Sequence, residues 1–350
     1  MEFFITVLAL SFVVFVHELG HFLAAKKVGV RVYEFSIGMG PKLFSKKKEH
    51  TEYSLRLLPI GGFVKLAGLD DEEKEISDAI NYRKKSLKAR ALIISAGSIM
   101  NLLLGFLIFF ILFFSFGTYK VTATIDAVLA QSPAQKVGLM KGDEIIQVNN
   151  KFVENVIPDV IKQIANSKGE HISLTVLSQG YERQVVVLPE KKSDQDTYRI
   201  GISLKTISED VGFLDSLLLS AKATGLHVQM VFKSLEMLIS GDAKFKDMTG
   251  PVGIVQFASF SLKKSTISFF EIMALITISL GVINMFPFPV LDGGHMLFLL
   301  IEFIRRKPVS KRMEMMVQGI GIAILIGLSI LILFNDLFFW DDRTELLEAL

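Results

Sequence analysis

Two histidines and a glutamate, His17, Glu18 and His21, stand inside the apolar stretch "SFVVFVHELGHFLAAKK". On a helix, positions i and i+4 share a face, so His17 and His21 can offer ring nitrogens to one metal ion while Glu18 projects beside them. This H-E-x-x-H spacing is that of zinc hydrolases, in which the metal lowers the pKa of bound water to about 7 and the glutamate is general base and then proton donor. Two imidazoles leave a catalytic zinc one protein ligand short. The chain has no cysteine, so disulfides and thiolate ligands are excluded and the third ligand must be a histidine or a carboxylate. Ala24 and Lys27 stand where the longer metzincin pattern requires glycine and histidine. Glu34, Glu49 and Glu52 fall beyond the apolar run, which leaves Asp292 and His295 of "VINMFPFPVLDGGHM" as candidates. His295, one turn after Asp292, reads as a supporting or packing residue.

Membrane helices must position these groups. The apolar run, residues 3–25, is long enough at 1.5 Å per residue to cross a hydrocarbon core of roughly 30 Å. Ionisable side chains at that depth cost roughly 2.5–3.5 kcal/mol each on insertion scales, so they face protein or water and carry function. A removable signal peptide fits less well, because the stretch is long, has no basic lead, and is followed by Lys26 and Lys27 with no small-residue cleavage pattern. Further apolar stretches at 91–116, 270–304 and 317–334 make four spans, the third broken at Pro287 and Pro289. Irregular backbone at membrane depth is tolerated only where it lines a buried or wet cavity, so the break marks the other half of the site. A hydrophobic content of 51% agrees with a membrane protein that carries one extramembrane domain. The net charge of +2 says little about partners, and nothing points to nucleic acid.

Basic residues set the expected orientation. Lys46, Lys47, Lys48, Arg83, Lys84, Lys85, Lys88 and Arg90 lie between spans one and two, and Arg305, Arg306, Lys307, Lys311 and Arg312 lie between spans three and four. Both loops are expected on the cytoplasmic side, with the termini and the segment 117–269 opposite. That segment opens with soluble patterning: Ser132 as N-cap before Pro133, Gly138 as helix stop, then turn, strand and turn in "KGDEIIQVNN". Ile157, Val160, Ile161 and Ile164 predict a second helix; Ile172, Leu174 and Val176, then Val185 and Val187, predict strands, with the domain ending near Leu204. "SPAQKVGLMKGDEIIQVNN" resembles PDZ domains of the bacterial protease-associated type, which bind extended peptide beside a sheet edge. Residues 213–240 read as an amphipathic helix lying at the interface, with His227 on its polar or interfacial side. His50 and His171 read as solvent-facing.

"HELGH" together with "NMFPFPVLDGG" resembles the site-2 protease family of intramembrane zinc metalloproteases, whose Asn-x-x-Pro-x-Pro-x-Leu-Asp-Gly pattern is met at Asn284, Pro287, Pro289, Leu291, Asp292 and Gly293. The resemblance implies Zn2+ bound by His17, His21 and Asp292, with Glu18 catalytic and Asn284 helping to hold the substrate backbone. It also matches the family's membrane-associated strand-forming loop to "LPIGGFVKL", residues 58–66, with Gly61, Gly62 and Phe63 at the substrate, and a Gly-x-x-x-Asn feature to Gly97 and Asn101. Gly97 and Asn101 read equally well as close-packing and polar glue between helices. "ISGDAKFKDMTGPVGI", 239–254, is similar to the RseP branch, but the stretch 117–205 has room for one PDZ domain where that branch's Gram-negative members carry two.

The expected fold is a polytopic α-helical membrane protein with four transmembrane helices, a membrane-associated β-loop and an inserted α+β PDZ domain. Its expected parts are 1–116 with spans one and two, 117–205 as the PDZ domain, 206–268 as an amphipathic juxtamembrane region, and 269–350 with spans three and four. The implied function is regulated intramembrane proteolysis in the bacterial inner membrane, with the PDZ domain extracytoplasmic. Its substrates would be single-span proteins, anti-sigma factors or remnant signal peptides, already trimmed by an upstream protease; its partners are that transmembrane substrate and the lipid bilayer. A metal transporter would also place His and Asp in broken membrane helices, though it has no need of Glu18. A catalytically idle peptide-binding scaffold would not need all four chemical residues.

Overall fold

A computed structural model describes residues 1–69, 77–191, 197–242 and 248–340. The middle of "ISGDAKFKDMTGPVGI", 243–247, and the last ten residues of the expected C-terminal part lie outside the described residues. In chain order the first elements are α1 (Glu2–Lys27), β1 (Val32–Lys48), β2 (Thr51–Leu66), a single 3-10 turn (Tyr82–Lys84) and α2 (Leu87–Phe116). Then come β3 (Thr118–Val128), α3 (Pro133–Lys136), β4 (Glu144–Val148), β5 (Lys151–Phe152), a wide helical turn (Ile157–Lys162) and α4 (Gln163–Ala165). They are followed by β6 (Ile172–Ser178), β7 (Tyr181–Val187), β8 (Glu190–Lys191), β9 (Tyr198–Arg199) and β10 (Ile202–Glu209). The remainder is helical: α5 (Phe213–Ser240), α6 (Pro251–Lys264), α7 (Thr266–Asn284), α8 (Asp292–Arg305) and α9 (Lys311–Phe338). Two units divide the chain, Met1–Phe113 with Phe213–Leu350, and Phe114–Gly212.

In the helical unit, α1, α2, α7 and α9 are each long and apolar enough to cross a membrane. α1 ends where Gly29 takes φ +72°, and Lys26 and Lys27 in its last turn complement the helix dipole. The interrupted third span resolves into two helices. α7 is 19 residues and suffices by itself, whereas α8 has 14 and does not. Between them, tight turns run through Met285 to Leu291, with Leu291 N–H donating to Phe288 O at 3.1 Å and Gly294 N–H to Leu291 O at 2.9 Å. Gly293 and Gly294 pack against the carbonyls of Met285, Phe286 and Phe288, where no side chain fits.

α5 forms over the stretch read as an amphipathic helix, and its apolar face is partly covered by other helices. α5 packs along α7 and touches α2 near Phe109 and Phe110. Phe213 meets Phe110 with ring centroids 5.4 Å apart. Further along α5, Val231 packs in one cluster with Phe109 of α2 and Ala274, Ile278 and Val282 of α7. His227 is correspondingly not on a free polar face: its Nε2 lies 3.0 Å from Leu275 O and 2.9 Å from Ser279 Oγ. α6 is fixed at its start by Asp336 of α9, whose fully buried carboxylate accepts from Gly250 N–H and Gly253 N–H, each at 2.9 Å.

β1 and β2 fold into more than one simple hairpin. Phe35, Ser36 and Ile37 have Tyr53, Ser54 and Leu55 as partners on one side and Val64, Phe63 and Gly62 on the other, while Lys46 and Lys47 pair with Tyr53 and Glu52. The segment order is therefore 42–48, 51–56, 32–37, 62–66, and among the described residues no strand pairs with the outer edge of 62–66. Arg56 ties these segments together: Nη2 meets Glu34 Oε1 at 2.7 Å, Nε donates to Ser36 Oγ at 2.9 Å, and the guanidinium lies 5.0 Å from the Phe63 ring centroid.

The β-rich unit has one principal sheet in the order β10-β3-β4-β6-β7, with β5 beside β4. Ile172, Leu174, Val176 and Val187 point into its core with Ile125, Ile145 and Val160, so the period-two patterning is realised in β6 and β7. Ser132 Oγ accepts from Gln135 N–H at 3.3 Å, with Pro133 at the first helical position, and Gly138 takes φ +76° beyond α3. β10 runs on to Glu209, past Leu204, because its end pairs with the start of β3, Glu209 opposite Thr118.

Candidate metal centre

α1 carries His17, Glu18 and His21 past a close crossing with α2. Gly20 lies against the main chain of Ala96 and Gly97, and a side chain at Gly20 would overlap Ala96 O. Gly97 in turn leaves the space that the two imidazoles occupy: a methyl there would overlap His21 Nε2 and stand 2.8 Å from His17 Cε1. Asp292 arrives from the opposite direction as the first residue of α8, set there by the turns that follow α7. Arg90, buried at the start of α2, holds α8 in place through two contacts with Glu302, Nη1–Oε2 at 2.9 Å and Nη2–Oε1 at 2.5 Å.

The three potential ligand atoms converge. His17 Nε2 is 3.1 Å from His21 Nε2, and Asp292 Oδ2 is 3.3 Å and 3.5 Å from them. Tetrahedral zinc with ligands at 2.0–2.1 Å sets neighbouring ligand atoms about 3.3 Å apart. Asp292 Oδ2 is buried with no hydrogen-bond partner, and His21 Nδ1 lies 2.8 Å from Ile93 O, which can only accept. His21 Nδ1 therefore carries the proton and leaves Nε2 free to ligate. The residues present fit a zinc ion. Among the described residues, His17, His21 and Asp292 are the group whose atoms all lie within 4.8 Å of one another; His295 is outside it, with Nε2 3.3 Å from Gln318 Nε2.

A cavity of about 450 Å³ opens on this group. Glu18, Asn284 and His295 line it, with apolar walls that include Phe63, Leu66, Tyr82 and Ile93. Asn284 Nδ2 is 3.4 Å from His17 Nε2, at the edge of the ligand cluster. Gly62 runs close to Glu18, 3.4 Å separating Glu18 Cγ from a Cβ added at Gly62. Gly61, at φ +82°, packs on Met39 and is not part of the wall. Asn101 departs from expectation. It is wholly buried beneath His17, with Nδ2 3.3 Å from His17 Nδ1, so it is out of a substrate's reach. The sequence reading also missed Gly20 and the Arg90–Glu302 pair. A small residue inside the H-E-x-x-H turn was the available signal for the first; nothing in the sequence links the second, 212 positions apart.

The model of peptidase family M50 matches residues 5–328. The chain belongs to peptidase family M50. A protein of Clostridium acetobutylicum, provisionally named a zinc metalloprotease, is 37% identical over 339 residues, covering 96% of this chain and 98% of the relative. A similarly named protein of Campylobacter jejuni is 34% identical over 354 residues, covering 96% and 93%. The regulator of sigma-W protease RasP of Bacillus subtilis is 27% identical over 402 residues, covering 93% and 95%. This M50 peptidase is a zinc metalloprotease, and its apolar helices make it a multi-pass membrane protein.

Proposed function

We propose that this M50 peptidase cuts transmembrane segments of single-span proteins, anti-sigma factors and remnant signal peptides among them, after another protease has trimmed their outer portion. His17, His21 and Asp292 hold the zinc and Glu18 is the general base. The observation that carries this reading is the unpartnered Asp292 oxygen facing two imidazole nitrogens between helices of membrane-spanning length. Bound zinc supplies Lewis acidity and a water that ionises near neutral pH. Glu18 takes a proton from the attacking water and returns it to the leaving amine. Asn284 offers an N–H beside the ligands to the substrate carbonyl.

A membrane helix has its peptide groups locked in internal hydrogen bonds and must unwind before attack. The segment 62–64, whose Phe63 and Val64 line the cavity together with Glu18, supports strand addition as the replacement for those bonds. The name of the B. subtilis relative supports a regulatory membrane protein as substrate. We read the unit Phe114–Gly212 as a single PDZ domain of an RseP-type peptidase in the bacterial inner membrane. The basic loops favour its extracytoplasmic placement, where it would turn away untrimmed substrates. Glu18→Gln tests the chemistry: it should keep about one zinc per chain and lose cleavage of a trimmed transmembrane reporter by roughly 10²–10⁴-fold. Cleavage at the parental rate by zinc-loaded Glu18→Gln protein would overturn the assignment.

A further inference from the structure

Asn101 lies on α2 one turn beyond Gly97 and is 0% exposed. Its backbone is held from α7, where Thr277 Oγ1 donates to Asn101 O at 3.3 Å. Its side-chain nitrogen stands 3.3 Å from His17 Nδ1, while its side-chain oxygen is buried with no hydrogen-bond partner. Leaving a buried acceptor unpaired costs roughly 1–3 kcal/mol.

The two orientations of this amide have opposite consequences. With Nδ2 toward His17, the imidazole Nδ1 must accept, so the ring proton sits on Nε2 and occupies the lone pair aimed at Asp292. With the amide turned 180° about Cβ–Cγ, the nearly isosteric oxygen takes the nitrogen's place and accepts from Nδ1–H. Nε2 is then unprotonated and the oxygen has its donor, while Nδ2 moves to where the oxygen found no partner, so the tautomer His17 needs, not the amide's own hydrogen-bond count, is what the orientation sets. His21 already has this arrangement, with Ile93 O as acceptor 2.8 Å from its Nδ1. One face of α2 thus serves both rings: a main-chain carbonyl for His21 and a side-chain carbonyl for His17.

We propose that Asn101 is a positioning residue whose side-chain oxygen accepts the His17 Nδ1 proton and so fixes the tautomer in which Nε2 ligates zinc. The proposal rests on the reading of His17 as a ligand. The Gly-x-x-x-Asn spacing of Gly97 and Asn101 then has a physical sense: Gly97 makes room for the rings, and Asn101 orients one of them.

The test is zinc affinity of the full-length protein in detergent, measured by competition with a chromophoric chelator, with His17→Ala as reference. Asn101→Leu keeps the volume and removes the acceptor; its zinc affinity should fall about 10–100-fold. Asn101→Asp keeps an acceptor and should bind within about threefold of the parent or tighter. Thermal unfolding of the zinc-free proteins checks folding, and Asn101→Ala stands in if the leucine variant does not fold. Parental affinity in Asn101→Leu, with zinc lost in His17→Ala, would overturn the positioning role and leave the ligand reading intact. An equal loss in Asn101→Asp and Asn101→Leu would also overturn it, since the acceptor was retained. Parental affinity in His17→Ala would remove the ligand reading on which the proposal depends.

Discussion

Alanine at Gly97 sets two physical effects against each other. By helix propensity, Gly→Ala in a helix interior stabilises by up to about 1 kcal/mol. By sterics, the new methyl overlaps His21 Nε2 and lies 2.7 Å from His21 Cε1 and 2.8 Å from His17 Cε1. Carbon atoms need about 3.5 Å, so the His17 ring must retreat by about 0.7 Å and the His21 ring by about 0.8 Å or more. Metal–ligand distances tolerate deviations of about 0.2 Å, and a misplacement near 1 Å costs on the order of 10²-fold in rate. Neither ring can back away freely, because His21 is tied to Ile93 O and His17 lies against buried Asn101. Overpacking of this kind costs about 1–3 kcal/mol, which outweighs the propensity gain, so we expect Gly97→Ala to have somewhat lower zinc-free stability, to bind zinc weakly and to cleave a trimmed reporter about 100-fold more slowly. Gly319→Ala on α9 is the control: nothing lies within 4 Å of its added Cβ, so zinc and activity should be unchanged. The assays are metal content after gel filtration, chelator competition and cleavage rate in one detergent. Full zinc at parental affinity with cleavage within about threefold of the parent would show that Gly97 does not shape the ligand seat.

Two further perturbations address the supports of the site and the β-rich unit. Glu302→Leu should destabilise the protein by about 3–5 kcal/mol, because it strands the buried Arg90 charge, and Arg90→Met should cost less, because Glu302 is only half-buried; the double variant should recover most of the larger loss in thermal unfolding, and equal instability of Glu302→Leu and the double variant would contradict this. Burial acts to raise the Asp143 carboxyl, but hydrogen bonds from Ser178, Met140 N–H and Arg183 outweigh it and hold the group below the usual carboxylate range. Its stabilising contribution is therefore fully present above the unfolded value near 3.9 and is lost as pH falls through the lower folded one. Pepsin nicking within 118–209 should rise as pH drops below about 4, and Asp143→Asn should be nicked more than the parent at pH 5 and show a smaller further rise on acidification. Identical pH profiles would refute the linkage.

The chemistry was more legible than the packing, for reasons that differ by residue. His17, Glu18, His21 and Asp292 announce themselves because charged or polar groups are costly in apolar stretches, and Pro287 and Pro289 mark broken backbone. The break did not reveal that α7 closes at Asn284 and α8 is a helix of its own, since hydropathy runs through both. That α5 is a helix was legible in its apolar spacing, but not that α7 covers part of its apolar face, because such a face does not say whether lipid or another helix will cover it. The length of β1 was hidden by Gly38, Gly40 and Pro41, which interrupt the alternation in the middle of the strand. Asn101 could not be resolved between helix glue and substrate contact, since only the fold shows that His17 lies over it.

The residues proposed as zinc ligands come from opposite ends of the chain: His17 and His21 are in the first helix, and Asp292 follows about 270 residues later, beyond the whole β-rich unit. At 5–20 residues per second, roughly 15–55 s of synthesis separate them. Throughout that interval the growing chain has Glu18 and two imidazoles in place but lacks the carboxylate that completes the set. If the proposed ligand set is the working one, a nascent chain would be inert toward the membrane proteins being inserted around it. On that ligand set activity would wait for the synthesis of α8, so the order of the chain itself would time maturation.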